Sequence, residues 1–270
     1  TCYPDPQIFT NGTDFRPALL YKMARSKAYL FRGIEIRWRS DAKWIKKDAA
    51  TPLKATLEFP GGLKDFLLAE TDDREMVTSA PFTGEAKLTD GGRVEWAVSW
   101  PSGDGVSFLN SHCNTVPTPD GGSHESGFRA ALTRGLKAYG EFAKIKRANH
   151  ITADDILTST CGILSVFIAE PQFQGQTKER LQSPEAAKMV EASVKDHFEH
   201  WLTQDRELAD SLLARVLDRA EERLRRRQER DVKRKTASRR LRLPGKLSDC
   251  SLAAATGTEI FLVEGDSAGG

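Results

Sequence analysis

The chain has 270 residues, with 40 Lys and Arg against 38 Asp and Glu, so its formal net charge is only +2. This length suffices for one large domain or two modest ones. The longest apolar stretch, 163–169, is far shorter than the ~18 residues of a membrane-spanning helix, so we expect no membrane association. The sequence begins without Met or a signal-like segment and stops on two glycines. We therefore expect an internal segment of a longer, cytoplasmic protein.

The four cysteines lie at positions 2, 113, 161 and 250 and form no CxxC pair and no zinc-ligand spacing. We expect reduced, packed thiols rather than a disulfide. His112 and His124 lie close in sequence, and His197 and His200 lie one helical turn apart. Without a third ligand, we expect these histidines to be packed or on the surface rather than metal-bound.

The N-terminal third of the sequence predicts helices separated by short strands. Apolar residues recur near a 3.6-residue period over 15–31, which predicts a helix that Gly33 ends. The alternating residues from Gly33 to Trp38 predict a strand. Residues 39–56 are predicted to be irregular, and a short helix is expected over 63–69.

The central third predicts a strand hairpin followed by a long helix. Two strands, 94–100 and 106–111, are expected to pair across the turn 102–105. The polar turn 118–124 then leads into a helix with one apolar stripe. The stripe consists of Phe128, Leu132, Leu136, Tyr139 and Phe142.

The segment that follows predicts a short helix and a buried strand. Residues 152–155 resemble a capping box that opens the helix, and Gly162 is expected to stop it before a strand over 163–169. Strands come first and are followed by a helix and a returning strand. This order predicts the α+β fold class.

The C-terminal third predicts two long amphipathic helices. Ser183, Pro184 and Glu185 form a typical helix start, with a capping Ser, a first-turn Pro and an acid that the helix dipole favours. Apolar residues then recur every four positions over 208–224. A short apolar strand is predicted at 259–263.

Positive charge is concentrated near the end of the chain. Residues 219–246 contain 13 Lys and Arg against 4 Asp and Glu. Such a block attracts polyanions, and nucleic acid is the commonest polyanionic partner in the cytoplasm. The alternative is a solvated helix face, because Glu221, Glu222, Glu229 and Asp231 offer partners one helical turn away.

An acidic turn with Glu264 and Asp266 follows the predicted strand 259–263. Carboxylate oxygens are the ligands that Mg²⁺ prefers, so this turn could hold the ion together with groups from elsewhere. Helix capping explains acids at such a place as well.

The stretch 173–178 follows a predicted buried strand and presents Gln176 and Lys178 on a loop. A Lys at a loop tip is a natural point charge for a phosphate, and the amide adds a hydrogen bond. A plain polar connection is the alternative. The chain contains neither a P-loop nor a GxGxxG motif.

Several stretches, in chain order, resemble the B-type subunits of bacterial type IIA topoisomerases. The one departure is Ser123, which stands where Thr is usual. The stretches are PDPQIF at 4–9 and GIEI at 33–36 for the end of the GHKL ATPase domain, NTVPTPDGGSH at 114–124 and PQFQGQTK at 171–178 for the transducer domain, and LPGKLSDC at 243–250 with EIFLVEGDSAGG at 259–270 for the entry to the Toprim domain.

Two kinds of subunit share this plan, gyrase B and the B subunit of topoisomerase IV. The stretches 95–100, 142–147 and 201–202 and the Arg-rich approach to Pro244 favour the topoisomerase IV kind, in its alphaproteobacterial form. Gyrase B remains the alternative within the family. An alternative of another class is a non-enzymatic nucleic-acid-binding protein with a basic helical arm.

The resemblance implies an isomerase that hydrolyses ATP and passes one DNA duplex through a transient break in another. Two B subunits would dimerise when ATP binds, and two A subunits would complete an A2B2 heterotetramer. Lys178 would contact the γ-phosphate of ATP with Gln176 beside it. Glu264 would be a Mg²⁺ ligand and a catalytic carboxylate in strand cleavage and religation.

The basic helix would lie against DNA and hold phosphates without reading bases. The candidate DNA-binding residues are Arg225, Arg226, Arg230 and Lys233, with Lys246 as a weaker candidate. The protein would be cytoplasmic and associated with the nucleoid.

The resemblance also predicts how the chain is divided. We expect the tail of a GHKL ATPase domain at 1–50, a transducer domain like ribosomal protein S5 domain 2 at 51–195, a helical arm and linker at 196–257, and the start of a Toprim domain at 258–270. The remaining ATPase and Toprim residues would lie outside this chain. Alone, it is expected neither to hydrolyse ATP nor to cut DNA.

Overall fold

A computed structural model of the chain describes residues 4–8, 15–45, 50–72, 74–88, 91–103 and 106–239, with side chains as far as Arg230. The chain divides into two units, and the boundary between them lies after Ala220. Among the described residues, every sheet lies in the first unit, which has the predicted α+β class.

The chain begins with helix α1, Pro17–Leu30, which confirms the helix predicted over 15–31. Strand β1, Ile36–Arg39, pairs antiparallel with β2, Lys54–Leu57, and a 3₁₀ turn at Ala42–Trp44 lies between them. Part of the segment predicted to be irregular is therefore a strand. Only Leu57 of β2 is buried, so the apolar pattern is too weak to predict this strand without its partner.

A five-stranded sheet forms the centre of the first unit. Its strands are β3 (Phe82–Lys87), β4 (Arg93–Ser99), β5 (Phe108–Cys113), β6 (Val116–Pro117) and β7 (Cys161–Phe167). Their order across the sheet is β3-β4-β7-β5-β6. All pairs are antiparallel except β5 with β7, which run parallel.

The predicted hairpin between 94–100 and 106–111 is wrong. Strand β4 pairs with β3 and β7, and β5 lies on the far side of β7. Strand β7 lies in the centre of the sheet and is buried on both faces, which agrees with its largely apolar sequence.

Gly162 lies inside β7 and does not end the preceding helix, contrary to expectation. A Cβ at this position would lie 3.0 Å from a methyl carbon of Leu109 on the neighbouring strand. The glycine therefore permits close packing within the sheet. The short helix α4, Ala153–Leu157, does have the predicted capping box between Thr152 and Asp155.

One face of the sheet is covered by two long helices, α3 (Ser123–Phe142) and α5 (Pro184–Gln204), which pack against each other. Gly127 of α3 is required there, because a Cβ would lie 2.2 Å from the Ala187 carbonyl oxygen. The predicted stripe of α3 is buried except for Phe142, which is 78% exposed at the helix end, where neither the sheet nor α5 covers it.

The start of α5 is where the sequence predicts it, but Ser183 does not cap the helix with its side chain. Its hydroxyl instead accepts a hydrogen bond of 2.9 Å from the backbone N–H of Gln172. The capping position thereby fastens the segment before the helix to the helix start.

The other face of the sheet is covered by the end of α1 and by α2, Leu63–Glu70, which is the short helix predicted over 63–69. Leu30, Leu63 and Leu67 pack there against Ala97 and Ile163 of the sheet.

The last helix, α6, spans Arg206–Arg239. Asp205 caps it by accepting a hydrogen bond of 3.0 Å from the Leu208 N–H, and the predicted apolar residues Leu208, Leu212 and Val216 are buried. Within the described ranges, no helix is both long and apolar enough to span a membrane.

Candidate functional site

The predicted phosphate-binding stretch is a short β-hairpin. Strand β8, Phe173–Gln174, pairs antiparallel with β9, Arg180–Leu181, and the five residues 175–179 connect them. The sequence predicts only a loop here, because neither strand is longer than two residues. Gly175 and Lys178 have φ values of +73° and +59°, so the connection bends sharply on both sides of Gln176.

Gln176 and Lys178 are both exposed on this connection. The Lys178 ammonium lies 5.7 Å from the centre of the Phe173 ring, and the Thr177 hydroxyl donates to the Glu179 carboxylate at 3.1 Å. The hairpin therefore presents one amide and one ammonium to solvent from a locally ordered loop.

The hairpin is fastened to the turn that opens α3. The Asp120 N–H donates to the Glu179 carbonyl, and the Leu181 N–H donates to the Gly121 carbonyl, both at 3.1 Å. Gly122 forms a parallel bridge with Leu181. The hairpin that carries the two candidate side chains is thus held by the turn that directly precedes a long helix.

A cavity of about 390 Å³ lies beside the hairpin and is lined by Asp120, Gln174, Glu179 and Arg180. The Arg180 guanidinium contacts the Asp120 carbonyl oxygen at 3.4 Å. Arg180 lies outside the predicted stretch 173–178 and was not among the candidates from sequence. A second cation two residues after the candidate Lys, at the start of the returning strand β9, is the signal that would have found it.

Buried polar groups lie beneath this turn. The hydroxyls of Ser111 and Thr118 share a hydrogen bond of 2.6 Å, and Thr118 shares another of 3.1 Å with His124 Nε2. Burial lowers the pKa of His124 to about 4, so this imidazole is neutral at pH 7. The group is structural: it fixes the turn and offers no proton near neutral pH.

The histidines are packed or on the surface, as predicted. His112 is buried with a pKa lowered to about 4 by burial, and His197 Nδ1 contacts the Ser193 carbonyl at 2.8 Å. No cluster of three potential metal ligands occurs among the described residues. Cys113 and Cys161 are buried free thiols, and Cys2 and Cys250 lie outside the described residues.

The basic helix is the second candidate site. Arg225 and Arg226 are exposed, and each forms an ion pair with a Glu one helical turn away. Arg225 Nε lies 3.9 Å from Glu229 Oε1, and Arg226 Nη2 lies 2.5 Å from Glu222 Oε1. Arg230 is also exposed. Lys233 belongs to α6, but its side chain lies outside the described part of the structure.

Two predicted site residues, Glu264 and Lys246, lie outside the described residues, as does the predicted strand 259–263. The described groups therefore separate into a hairpin with an amide and an ammonium in the first unit, and an Arg-rich helical segment in the second. Their assigned roles stay predictions.

Comparison with known proteins gives the class first. The first unit has the α+β fold of bacterial topoisomerase ATPase regions. The 43K ATPase domain of Thermus thermophilus gyrase B superposes with a TM-score of 0.68 at 26% identity, over 85% of this chain and 59% of that one. The topoisomerase IV ATP-binding domain of Francisella tularensis gives 0.66 at 27% identity, over 79% and 56%.

The family follows from the sequence. Residues 62–232 match the family model described as DNA gyrase B, and the chain belongs to this family. The DNA topoisomerase 4 B subunit of Caulobacter vibrioides is 54% identical over 271 residues, and that of Bartonella bacilliformis is 52% identical over 269. Both alignments cover 99% of this chain but only 39% of the relative. The resemblance to alphaproteobacterial topoisomerase IV B subunits is thereby confirmed.

Proposed function

We propose that this chain is the coupling segment of a type IIA topoisomerase B subunit of the topoisomerase IV kind. In that role it links ATP binding to the passage of one DNA duplex through a break in another. The names of relatives at 54% and 52% identity support the topoisomerase IV kind over gyrase B. The proposed division is a GHKL tail at 1–50, a transducer at 51–195, an arm at 196–257 and the start of Toprim at 258–270.

The observation that carries this proposal is the exposed Lys178 on a hairpin that is bonded to the turn directly before α3. An ammonium at such a place binds a terminal phosphoryl group through its charge, with Gln176 adding a hydrogen bond. Hydrolysis removes that group and with it the contact. The hairpin then loses its ligand, and α3 relays the loss to the helices packed on it.

The test is Lys178→Ala in the full-length protein assembled with its A subunit. Loss of a charge-assisted contact predicts that ATP turnover and strand passage both fall by about tenfold or more. The matched control is Lys188→Ala, which removes another Lys ten residues further along and is expected to have no effect. Unchanged turnover and strand passage in Lys178→Ala would refute the phosphate contact.

In this proposal the basic helix binds DNA. Ion pairs between exposed side chains contribute only about 0–1 kcal/mol, so DNA phosphates can displace the Glu partners of Arg225 and Arg226. Arg230 and Lys233 extend the same helix, and Lys246 follows it in sequence. Such contacts hold the backbone without selecting bases.

The matching experiment compares two triple variants of the full-length protein. Changing Arg225, Arg226 and Arg230 to Gln should weaken DNA binding and lower its salt dependence by about one unit of slope for each lost phosphate contact. Changing Lys22, Lys54 and Lys64, three exposed lysines of the first unit, to Gln should leave the slope unchanged. Equal slopes for the two variants would contradict a specific role of the helix.

The A subunit, the A2B2 assembly, B-subunit dimerisation, Mg²⁺ and a cytoplasmic, nucleoid-associated location complete the proposal. Glu264 is the proposed Mg²⁺ ligand, and no step above depends on it. The gyrase alternative differs in its partner and product. Decatenation with a topoisomerase IV A subunit supports our proposal, whereas negative supercoiling with a gyrase A subunit would refute it.

A further inference from the structure

Residues 114–122, which we call the strap, run from the end of β5 to the start of α3. The strap begins as a two-residue turn in which Asn114 and Thr115 have φ values of +48° and +65°. This is the turn type that Asn and Gly favour in β-hairpins. A β-branched Thr in this region is strained, and such strain persists only where surrounding contacts enforce it.

Those contacts come from two distant parts of the fold. The Lys27 ammonium of α1 donates to the Thr115 carbonyl oxygen at 2.6 Å and also to the Thr115 hydroxyl. The Asn114 amide donates to the Ile168 carbonyl at 2.9 Å and accepts from the Ile168 N–H at 3.0 Å. The first end of the strap is therefore clamped by α1 on one side and by the exit of β7 on the other.

The middle of the strap is fixed to the sheet. Strand β6 pairs with β5, and the Thr118 N–H donates to the Ser111 carbonyl at 2.9 Å. The buried Ser111, Thr118 and His124 side chains continue these bonds beneath the strap. Little freedom remains for the strap to bend between its two ends.

The second end of the strap is bonded to the hairpin of Lys178 through Asp120 and Gly121. Gly122 has a φ of +138°, and a Cβ there would lie 2.2 Å from the Leu181 carbonyl oxygen. Only glycine allows the strap and β9 to approach this closely. The hairpin thus cannot move far unless the strap moves with it.

We infer that the strap positions the hairpin of Lys178 relative to α1, and that Lys27 is the positioning residue that holds its first end. The inference rests on the proposed phosphate contact of Lys178. Lys27 itself touches no nucleotide in this scheme. It fixes the place of the Lys178 ammonium through nine residues of backbone that are bonded at both ends and in the middle.

The test is a double-mutant cycle in the full-length protein with its A subunit, read out as kcat and KM for ATP. Lys27→Met keeps the length of the side chain and removes its ammonium. It is expected to lower kcat by about fivefold because the hairpin is displaced. In a Lys178→Ala background the same change should have no further effect, since the group that it positions is already absent.

The matched control is Lys22→Met, which removes an exposed ammonium from the same helix and should leave kcat unchanged. Lys27→Arg keeps the charge and should recover part of the loss. Melting curves check that each variant is folded. If Lys27→Met does not fold, Lys27→Arg takes its place in the cycle. Its expected loss of kcat is smaller, and that loss must also be absent in the Lys178→Ala background.

Two results would overturn the inference: a Lys27→Met enzyme equal to Lys22→Met, or losses that multiply when Lys27→Met and Lys178→Ala are combined. Either result is distinct from failure of the proposed function, in which Lys178→Ala alone leaves turnover unchanged.

Discussion

The two faces of the five-stranded sheet differ in what they bury. Toward α3 and α5 the sheet contributes aromatic rings, and Phe82 lies 4.9 Å from Phe198 between ring centres. Toward α1 it contributes a row of polar residues, Glu95, Ser165 and His112, which are aligned across three neighbouring strands. The α1 face therefore buries polar and charged groups next to the apolar contacts of Leu30, Leu63 and Leu67.

The polar groups of the α1 face are incompletely paired. Among the described residues, Ser165 Oγ and His112 Nδ1 have no hydrogen-bond partner, and Glu95 has only ion pairs to Arg93 at 3.4 Å and Arg32 at 3.9 Å. Buried groups of this kind cost about 1–3 kcal/mol each. The α3 and α5 side also has groups without a partner among the described residues, the indole nitrogens of Trp96 and Trp100. The α1 face differs in burying the Glu95 carboxyl, whose ionisation makes the contribution of this face depend on pH.

The largest effect is expected from the apolar face. Phe198→Ala should lower the free energy of unfolding by about 3–5 kcal/mol, because the ring is fully buried against Phe82, Trp100 and Trp201. Urea-induced unfolding measures this change in the free energy of unfolding. Phe142→Ala, at a 78% exposed position, should change the same quantity by less than about 0.5 kcal/mol. Similar losses in both variants would remove the distinction between core and surface.

Acid is expected to weaken both faces through their histidines. His112 and His124 have pKa values lowered to about 4 by burial, whereas the unfolded chain binds these protons near pH 6.5. Between these two pH values the unfolded state holds more protons, so stability falls as the pH is lowered from 6.5 toward 4. The expected loss is about 3 kcal/mol per histidine.

Urea unfolding at a series of pH values from 7 to 4 measures this loss. His124→Gln on the α3 face and His112→Gln on the α1 face should each remove about half of the decline. A decline that persists undiminished in both variants would assign the acid sensitivity to other groups.

The smallest effect is expected from Glu95 on the α1 face, and its sign is opposite. Burial raises the pKa of Glu95 above its usual value of 4.5, although Arg93 and Arg32 oppose the shift. The folded state then binds more protons, so this group lowers stability as the pH rises through the raised pKa. Glu95→Gln should remove that decline and leave the protein at least as stable at pH 7. Parallel profiles of melting temperature against pH for the variant and the parent would contradict this assignment.

The sequence predicts the parts of the fold that depend on a single helix or a strongly apolar strand. Helices α1, α2, α3 and α5 begin and end near their predicted positions because their stripes and terminal residues are local signals. The predicted partner of β5 is wrong. Pairing depends on which strand is buried on both faces and takes the centre of the sheet, and nearest neighbours in sequence are a poor guide to that choice.

The candidate site divides in the same way. Gln176 and Lys178 become candidates from sequence chiefly through the family resemblance, because a polar loop with a Lys after a buried strand is by itself equally a plain connection. The proposed role of Lys27 cannot be identified from sequence, because its partner Thr115 lies 88 residues away and becomes strained only in the folded turn. Positive φ at a β-branched residue is a property of tertiary structure that composition cannot indicate.

The most direct test of the phosphate contact compares nucleotide affinities in the full-length protein. For Lys178→Ala, we predict a Kd for a non-hydrolysable ATP analogue that is weaker by roughly tenfold to a hundredfold, with an unchanged Kd for ADP, because only the terminal phosphate meets this ammonium. Equal losses for both nucleotides, or no loss for either, would contradict it.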